Sequence, residues 1–559
     1  MFNFLTTSPA SPKISLNIWV LVSLLIAAWI AVPVIFVFLG IFSWQGEIFT
    51  HLWETVLGEY IRNSLALMVG VGTGVFVLGV GTAWLVTMCR FPGGRWLEWA
   101  LLLPLSAPAY LLAYGYSNLL DYYGPVQSLL RAVFGWDSAL DYWFPNIRSL
   151  WGAIAILALV SYPYVYLLAR LAFLEQGICT LEASRSLGCN PWQSFIRVAL
   201  PLARPAIAAG LALVMMETLN DFGTVQYFGV NTFTTGIYST WFGFGERQGA
   251  TQLAAFLMIF VFLLVVLERW SRRQAKFYQS SSPKQNLPRY QLRGLRAIGA
   301  LAFCLFPFLL GFLVPASYLL YLTVSYAQEV SNNNFFQLAS HSLILSFLTA
   351  AIALVIGLIL VYGQRLSRQP LTSFAVKVTS MGYAIPGSVI AVGVLIPAGN
   401  FDNWLAGWWE RIWGVNIGLL LSGTIAVLVY AYLVRFLAVA IGSLEGSLGK
   451  IKPTLDDAAR SLGKTPSQIL WQVHTPLMTG GLLTAVMLVF VDVMKELPAT
   501  LVIRPFNFDT LAIRVYQYAS DERLIEAAAP ALTIILAGML PVIFLSVQIA
   551  RSRPNEGQI

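Results

Sequence analysis

Long apolar runs broken by short polar clusters set the pattern of this chain. Such runs occupy 19–42, 64–86, 99–119, 150–173, 206–219, 253–267, 301–322, 342–362, 374–396, 417–434, 480–493 and 527–545. Most lie near or above the roughly 20 residues a helix needs to cross a bilayer. A membrane β-barrel would instead show short segments of alternating polarity. The pattern predicts an all-α integral membrane protein with about twelve transmembrane helices. The first run follows Lys13, is long for a signal-peptide core and has no small-residue cleavage site after it, so it reads as a retained span.

Between the sixth and seventh runs lies a polar stretch carrying Arg272, Arg273, Lys276, Lys284, Pro288 and Arg293. It serves as a linker, 271–296, between a first unit at 1–270 and a second at 297–559, each with about six spans. The positive-inside rule puts this linker in the cytoplasm, together with Arg90, Arg95, the segments 170–204 and 435–464, and the stretch from Arg365 to Lys377. Both chain ends then fall in the cytoplasm. Arg504, Arg514 and Arg523 fall outside and run against the bias.

The two units repeat each other. Leu181-Glu182-Ala183-Ser184-Arg185-Ser186-Leu187-Gly188 returns as Asp456-Asp457-Ala458-Ala459-Arg460-Ser461-Leu462-Gly463, an offset of 275 residues. The same offset carries Pro201 to Pro476, Glu217 to Asp492 and Asp221 to Glu496, and an offset of 278 carries Ser64-Leu65 to Ser342-Leu343 and Pro108 to Pro386. An even number of spans in the first unit gives both repeats one orientation, related by a pseudo-two-fold axis along the membrane normal.

Composition sharpens this picture. Hydrophobic residues make up 58% of the 559 and charged residues 11%, against roughly one-quarter charged in a soluble domain. The net charge of +8 is spread over short clusters between apolar runs, so it marks topology and not a nucleic-acid surface. Cys89, Cys179, Cys189 and Cys304 form no CxxC pair and have no histidines at ligand spacing, which supports neither a disulfide framework nor a zinc site. No HExxH, GxSxG or paired-histidine pattern marks an enzyme. Gly463-Lys464-Thr465 lacks the earlier glycine of a phosphate loop, since Ala458 stands there. Gly70, Gly72 and Gly74 lack the third glycine of a dinucleotide fingerprint and suit close helix packing.

The long polar loops near 176–205 and 450–480 each spell a helix, a hinge and a second helix. Thr454 can cap the first helix of the second copy, with Asp456 and Asp457 at its positive end. Gly188 and Gly463 sit where a left-handed residue ends a helix. Asn190-Pro191-Trp192-Gln193 and Thr465-Pro466-Ser467-Gln468 restart one, with a cap, a first-turn proline and a glutamine three residues on. Pro201 and Pro476 interrupt the second helix before the membrane. Beyond the loops, Glu217 with Asp221 and Asp492 with Glu496 place acids four apart on one helical face. Intramembrane charge faces a cavity or a partner. The acids therefore either line a pathway, or pair with Lys495 or Arg504 or sit at the outer interface, stabilising packing between the units. His51, His341 and His474 are isolated and read as structural, with His474 on the second loop able to face a partner.

The loop residues Glu182-Ala183-Ser184, Gly188 and Leu200-Pro201, with Asp457-Ala458-Ala459, Gly463 and Thr475-Pro476, resemble the EAA loop of ABC importer permeases, with Asp for Glu and Thr for Leu in the second copy. Similarity to the ferric-iron subgroup of fused permeases is carried by Asp221-Phe222-Gly223-Thr224, Thr232-Phe233-Thr234-Thr235-Gly236-Ile237-Tyr238, Lys495-Glu496-Leu497-Pro498-Ala499-Thr500, the stretch from Arg504 to Leu511, and Ala519-Ser520-Asp521-Glu522-Arg523. The resemblance implies a type I ABC importer permease fold in the bacterial cytoplasmic (inner) membrane. It implies coupling of Glu182, Ala183, Gly188, Pro201, Asp457, Ala458, Gly463 and Pro476 to two copies of a cytoplasmic ATPase subunit. ATP and Mg would then belong to those subunits, with no catalysis and no cofactor on this chain. A periplasmic binding protein would deliver the cargo, ferric iron or, in the same class, thiamine, a polyamine or a phosphonate. A secondary transporter of the major-facilitator type shares the two parallel halves but has no use for a duplicated ATPase-docking loop.

Overall fold

The computed structural model describes residues 17–40, 46–175, 184, 186–273, 289–326, 334–367, 369–415 and 418–551. Among the described residues ten helices are long and apolar enough to cross a membrane, and the number rises to twelve if each of two bent pairs is one span. The all-α membrane architecture expected from the apolar runs is therefore present. Among the described residues the sole β pairing is the two-residue parallel contact of Cys89–Arg90 with Tyr290–Gln291.

The helices that position the site are α1 (Ile18–Leu39), α2 (Leu57–Met88), α3 (Ala109–Leu120), α4 (Leu150–Glu175), α5 (Leu200–Asn220) and α6 (Arg247–Arg273). They are followed by α7 (Leu295–Ser325), α8 (Phe335–Ser367), α9 (Gly387–Trp413), α10 (Ile425–Leu448), α11 (Thr479–Met494) and α12 (Leu524–Arg551). Helices α2, α4 and α5 pack together, and α8, α10 and α11 form a second triplet. Lipid tails are as apolar as leucine, so close packing must draw these helices together. Glycine supplies it on α2. A Cβ at Gly70 would lie 2.6 Å from Ile154 and one at Gly74 2.8 Å from Ala158, both on α4.

Two buried cores divide the molecule, and neither is confined to one unit of the sequence. One joins α2 to α5 with Cys304 and Phe308 of α7 and Ala527 to Ile535 of α12. The other joins α8 to α11 with Ile30 and Val37 of α1 and Leu253 and Leu257 of α6. The first and last helices of each half thus pack on the other half, with α1 against α8 and α9 and α7 against α2 and α3.

Two of the twelve expected runs are not continuous helices. Run 99–119 is split where Leu103–Ser106 ends and α3 begins behind Pro108, a bend of 92° between the flanking helices. Run 374–396 is split between a helix at Pro370–Thr379 and α9, which begins behind Pro386. Proline lacks an N–H and disfavours helix in the residue before it, so both breaks fall at the proline. In the opposite direction, Pro201 does not interrupt its helix. It occupies the first turn of α5, and Pro191–Asn220 passes as one span through a π-turn. After Pro476 the chain does bend, by 80°, around Met478.

Candidate functional site

Four helix ends meet between the two cores. Helix α5 stops at Asn220 because Asp221 turns extended and its carboxylate accepts hydrogen bonds from the Thr224 and Val225 N–H groups, each at 3.1 Å, and from the Thr224 hydroxyl at 3.0 Å. Helix α11 stops at Met494, and Glu496 accepts from the N–H of Ala499 at 2.8 Å and of Thr500 at 3.0 Å. Each acid caps the short helix that follows, Gly223–Tyr227 and Pro498–Ile503. Facing them are the starts of α3 and α9. The Gly387 N–H at the head of α9 donates to Asn220 Oδ1 at 2.7 Å. A Cβ at Gly387 would lie 2.8 Å from the Glu496 carboxylate and 3.0 Å from Arg435, so glycine permits this approach.

The ends enclose a cavity of about 90 Å³ lined by residues of both halves. All four acids singled out in the sequence line it: Glu217, Asp221, Asp492 and Glu496. Three of them are also paired with cations. Asp492 Oδ1 lies 2.9 Å from Lys495 Nζ. Arg435 places Nη1 3.3 Å from Glu496 and Nη2 3.7 Å from Glu217, so one guanidinium spans both halves. Arg504 binds Asp509 instead of any of the four. The two sequence readings, pathway and pairing, are therefore compatible. Four carboxylates against Arg435 and Lys495 leave the lining with a net formal charge of −2.

Arg435 is a correction to the sequence reading, which counted it among cytoplasmic topology signals. It sits 5% exposed within α10 and faces the cavity. The apolar residues continuing on both sides of it, from Ile425 to Ile441, were the available signal. Tyr110, Tyr164 and Tyr383 of the lining carry no sequence pattern that separates them from other membrane tyrosines.

Away from the cavity, the described parts of the two loops share a backbone. Gly188 and Gly463 adopt φ of +83° and +77°, a left-handed conformation that only glycine enters without strain. Capping boxes follow in both, Asn190 with Gln193 and Thr465 with Gln468, with Pro191 and Pro466 in the first turn. The side chains of Leu187 and Leu462, 275 residues apart, are 84% and 79% exposed, and Ile196 and Trp471 at the same offset are also exposed. Asp457 and Ala458 are exposed near them, as are Pro201 and Pro476 at the ends of the loops. Glu182 and Ala183 lie outside the described residues.

Two loop expectations change. The helix of the second copy starts at Pro453 with Lys452 in the capping position, so Thr454 lies inside its first turn. His474 is fully buried and faces no partner. Its Nε2 lies 2.8 Å from Asp456 Oδ1, and Arg365 grips the same carboxylate at 2.8 and 2.9 Å. Burial works against charge on Asp456, but the Arg365 and His474 contacts outweigh it and hold the carboxyl below the usual aspartate range.

Residues 16–275 match the family described as binding-protein-dependent transport system inner membrane components. An Fe(3+)-transport system permease protein of Haemophilus influenzae is 28% identical over 88% of this chain and 90% of its own length. A ferric transport system permease protein of Actinobacillus pleuropneumoniae is 24% identical over 85% of this chain and 70% of its own. A molybdenum transport system permease protein of Escherichia coli is 28% identical over 40% of this chain and 93% of its own.

Proposed function

Because the chain belongs to the binding-protein-dependent ABC importer permeases of the inner membrane, we propose that its cargo is ferric iron, passed through the cavity between the halves. The observation that carries this reading is the lining itself, four carboxylates with a net formal charge of −2. A hard, highly charged cation prefers oxygen donors, whereas a phosphonate, molybdate or sulfate would meet excess negative charge. The relatives named for Fe(3+) and ferric transport cover most of this chain, and the molybdenum permease covers 40%.

In this reading 1–270 and 297–559 are parallel permease repeats joined by a cytoplasmic linker at 271–296, with both termini in the cytoplasm. A binding protein and ATPase subunits are the partners the family implies. Two ATPase copies seat on the loops, one on each, with Gly188 and Gly463 as hinges and the exposed Leu187, Leu462, Ile196 and Trp471 as contact surface. Glu182, Ala183, Pro201, Asp457, Ala458 and Pro476 belong to the same sockets. The chain itself performs no catalysis, and ATP and Mg stay on the partners. Glu217, Asp221, Asp492 and Glu496 face the cargo's path.

The test is uptake into vesicles holding the whole complex, with ferric iron competing against thiamine, polyamines, phosphonate and molybdate. ATP-dependent accumulation of iron that none of the others suppresses is the expected result. Accumulation of another solute, with iron inert, overturns the assignment of cargo.

A further inference from the structure

The described parts of the two loops share a backbone but meet the membrane bundle through different chemistry. In the first copy, Trp84 near the end of α2 packs its indole on Phe195 of the loop, with centroids 4.9 Å apart, and on Phe173 of α4 at 5.5 Å. Residue 84 corresponds to Tyr362 of α8 at the offset of 278. There the phenol hydroxyl donates to the Pro466 carbonyl at 2.6 Å, on the helix that restarts after the Gly463 hinge. Three residues further along α8, Arg365 binds both oxygens of Asp456 and the carbonyls of Leu448, at 2.9 Å, and Ile451, at 3.1 Å. His474, on the other arm of the hinge, closes on the same Asp456 carboxylate. One buried carboxylate is thus held by the bundle on one side and by the loop's far arm on the other. The first copy has Thr87, Leu181 and Ala199 where the second has Arg365, Asp456 and His474.

We infer that Arg365 and Asp456, with His474, form a rigid ionic joint that transmits the motion of the second loop to α8, while an aromatic contact does this for the first loop. The inference rests on the reading of the loops as ATPase sockets. Arg365 acts here as a positioning residue. A guanidinium held at four oxygens fixes the angle between loop and helix more tightly than a point charge or an apolar contact would. Motion imposed at Leu462 and Trp471 then cannot be absorbed by flexing at the root of the loop.

The experiment uses the reconstituted complex with its ATPase subunits and binding protein, and reads ATP hydrolysis with and without loaded binding protein. Arg365→Gln and Asp456→Asn are each expected to lower the stimulated rate on the order of tenfold, the size of effect that residues along a coupling route reach. Co-purification of the ATPase subunits is expected to be unchanged. The exchange Arg365→Asp with Asp456→Arg, which rebuilds the pair in reverse, is expected to restore most of the stimulation, and His474→Gln is expected to retain more than His474→Ala. Full stimulation in both single variants overturns the inference, as does loss that the exchange does not repair while the ATPase subunits stay bound. If the single variants do not assemble, Tyr362→Phe, which deletes one hydroxyl from the same joint, is read instead, and wild-type stimulation there overturns the inference. Absence of stimulation in the unmodified complex overturns the socket reading and this inference together. Stimulation in the unmodified complex that the variants leave intact removes the inference alone.

Discussion

Replacing Arg435 with methionine removes a cation that touches carboxylates of both halves while keeping a side chain of similar reach. At an effective dielectric of about 20, unit charges at 3.3 Å and 3.7 Å attract by roughly 5 and roughly 4.5 kcal/mol. Desolvation of the guanidinium offsets much of this, and deleting one partner of a buried pair leaves a net loss of about 3–5 kcal/mol. Two features place this site at the lower end. Glu496 keeps its N–H donors from Ala499 and Thr500. The Glu217 side chain is 34% exposed and stays partly hydrated. The expected destabilisation is therefore about 3 kcal/mol, read as a lower unfolding midpoint of the detergent-purified protein. Adding Glu217→Met to Arg435→Met removes the stranded charge, and the double variant is expected to recover part of the loss, because replacing both ends of a buried pair by apolar groups is often neutral. An Arg435→Met protein as stable as the parent, or a double variant less stable than the sum of its singles, refutes the reasoning.

Gly188→Val and Gly463→Val each force a branched side chain into the left-handed region. Among the described residues nothing lies within 4 Å of a Cβ at either position, so the penalty is backbone strain of about 1–2 kcal/mol. Both should fold yet lose transport-coupled ATP hydrolysis, while Asn, which tolerates this conformation, should keep it. Equal activity of Val and Asn variants would remove the hinge assignment. Glu217→Gln combined with Asp492→Asn should impair uptake without loss of assembly, measured by cargo accumulation against co-purified ATPase, and unchanged uptake would leave these acids a packing role alone. The Arg365–Asp456 pair should be insensitive to mild acid. Its carboxyl is depressed in the folded state, so its contribution is complete above the unfolded aspartate value of about 3.9 and fades only as pH falls through the lower folded value. A selective loss of stability of the parent relative to Asp456→Asn between pH 7 and pH 5 would contradict that sign.

Much of the fold could be read from runs of apolar residues, because in lipid an apolar stretch has few alternatives to a helix with its backbone bonds satisfied internally. The two runs that failed, 99–119 and 374–396, failed at Pro108 and Pro386. Hydropathy does not change across a proline, although backbone hydrogen bonding does. The left-handed turns at Gly188 and Gly463 were legible because glycine, cap and proline appear together, twice, at one offset. The burial of His474 was not, since its partner Asp456 lies 18 residues away in the chain and is held in turn by Arg365, 109 residues from His474, through the packing of α8 on the loop.

The exchange of helices between the cores has no local signature either. Apolar periodicity says that α1 and α7 bury a face but not against which neighbour, and a duplicated chain offers each helix two nearly equivalent docking sites. The placement found here has α1 on α8 and α9, and α7 on α2 and α3, so each core is completed by helices of the other repeat. This bears on how the cavity can open. Arg435 and Glu496 belong to the second repeat, whereas Glu217 and Asn220 end α5 of the first. Moving the end of α5 away from α9 and α10 breaks the Arg435–Glu217 pair and the Gly387–Asn220 hydrogen bond, yet leaves Arg435 on Glu496 and Lys495 on Asp492. The repeats have kept the breaks behind Pro108 and Pro386 but not the same charges, since Val160 and Asn220 stand at the positions of Arg435 and Lys495. Both cations of the cavity therefore stay with one side, and Glu217 and Asp221 on the other are left facing the open space without a basic partner from their own repeat in the lining.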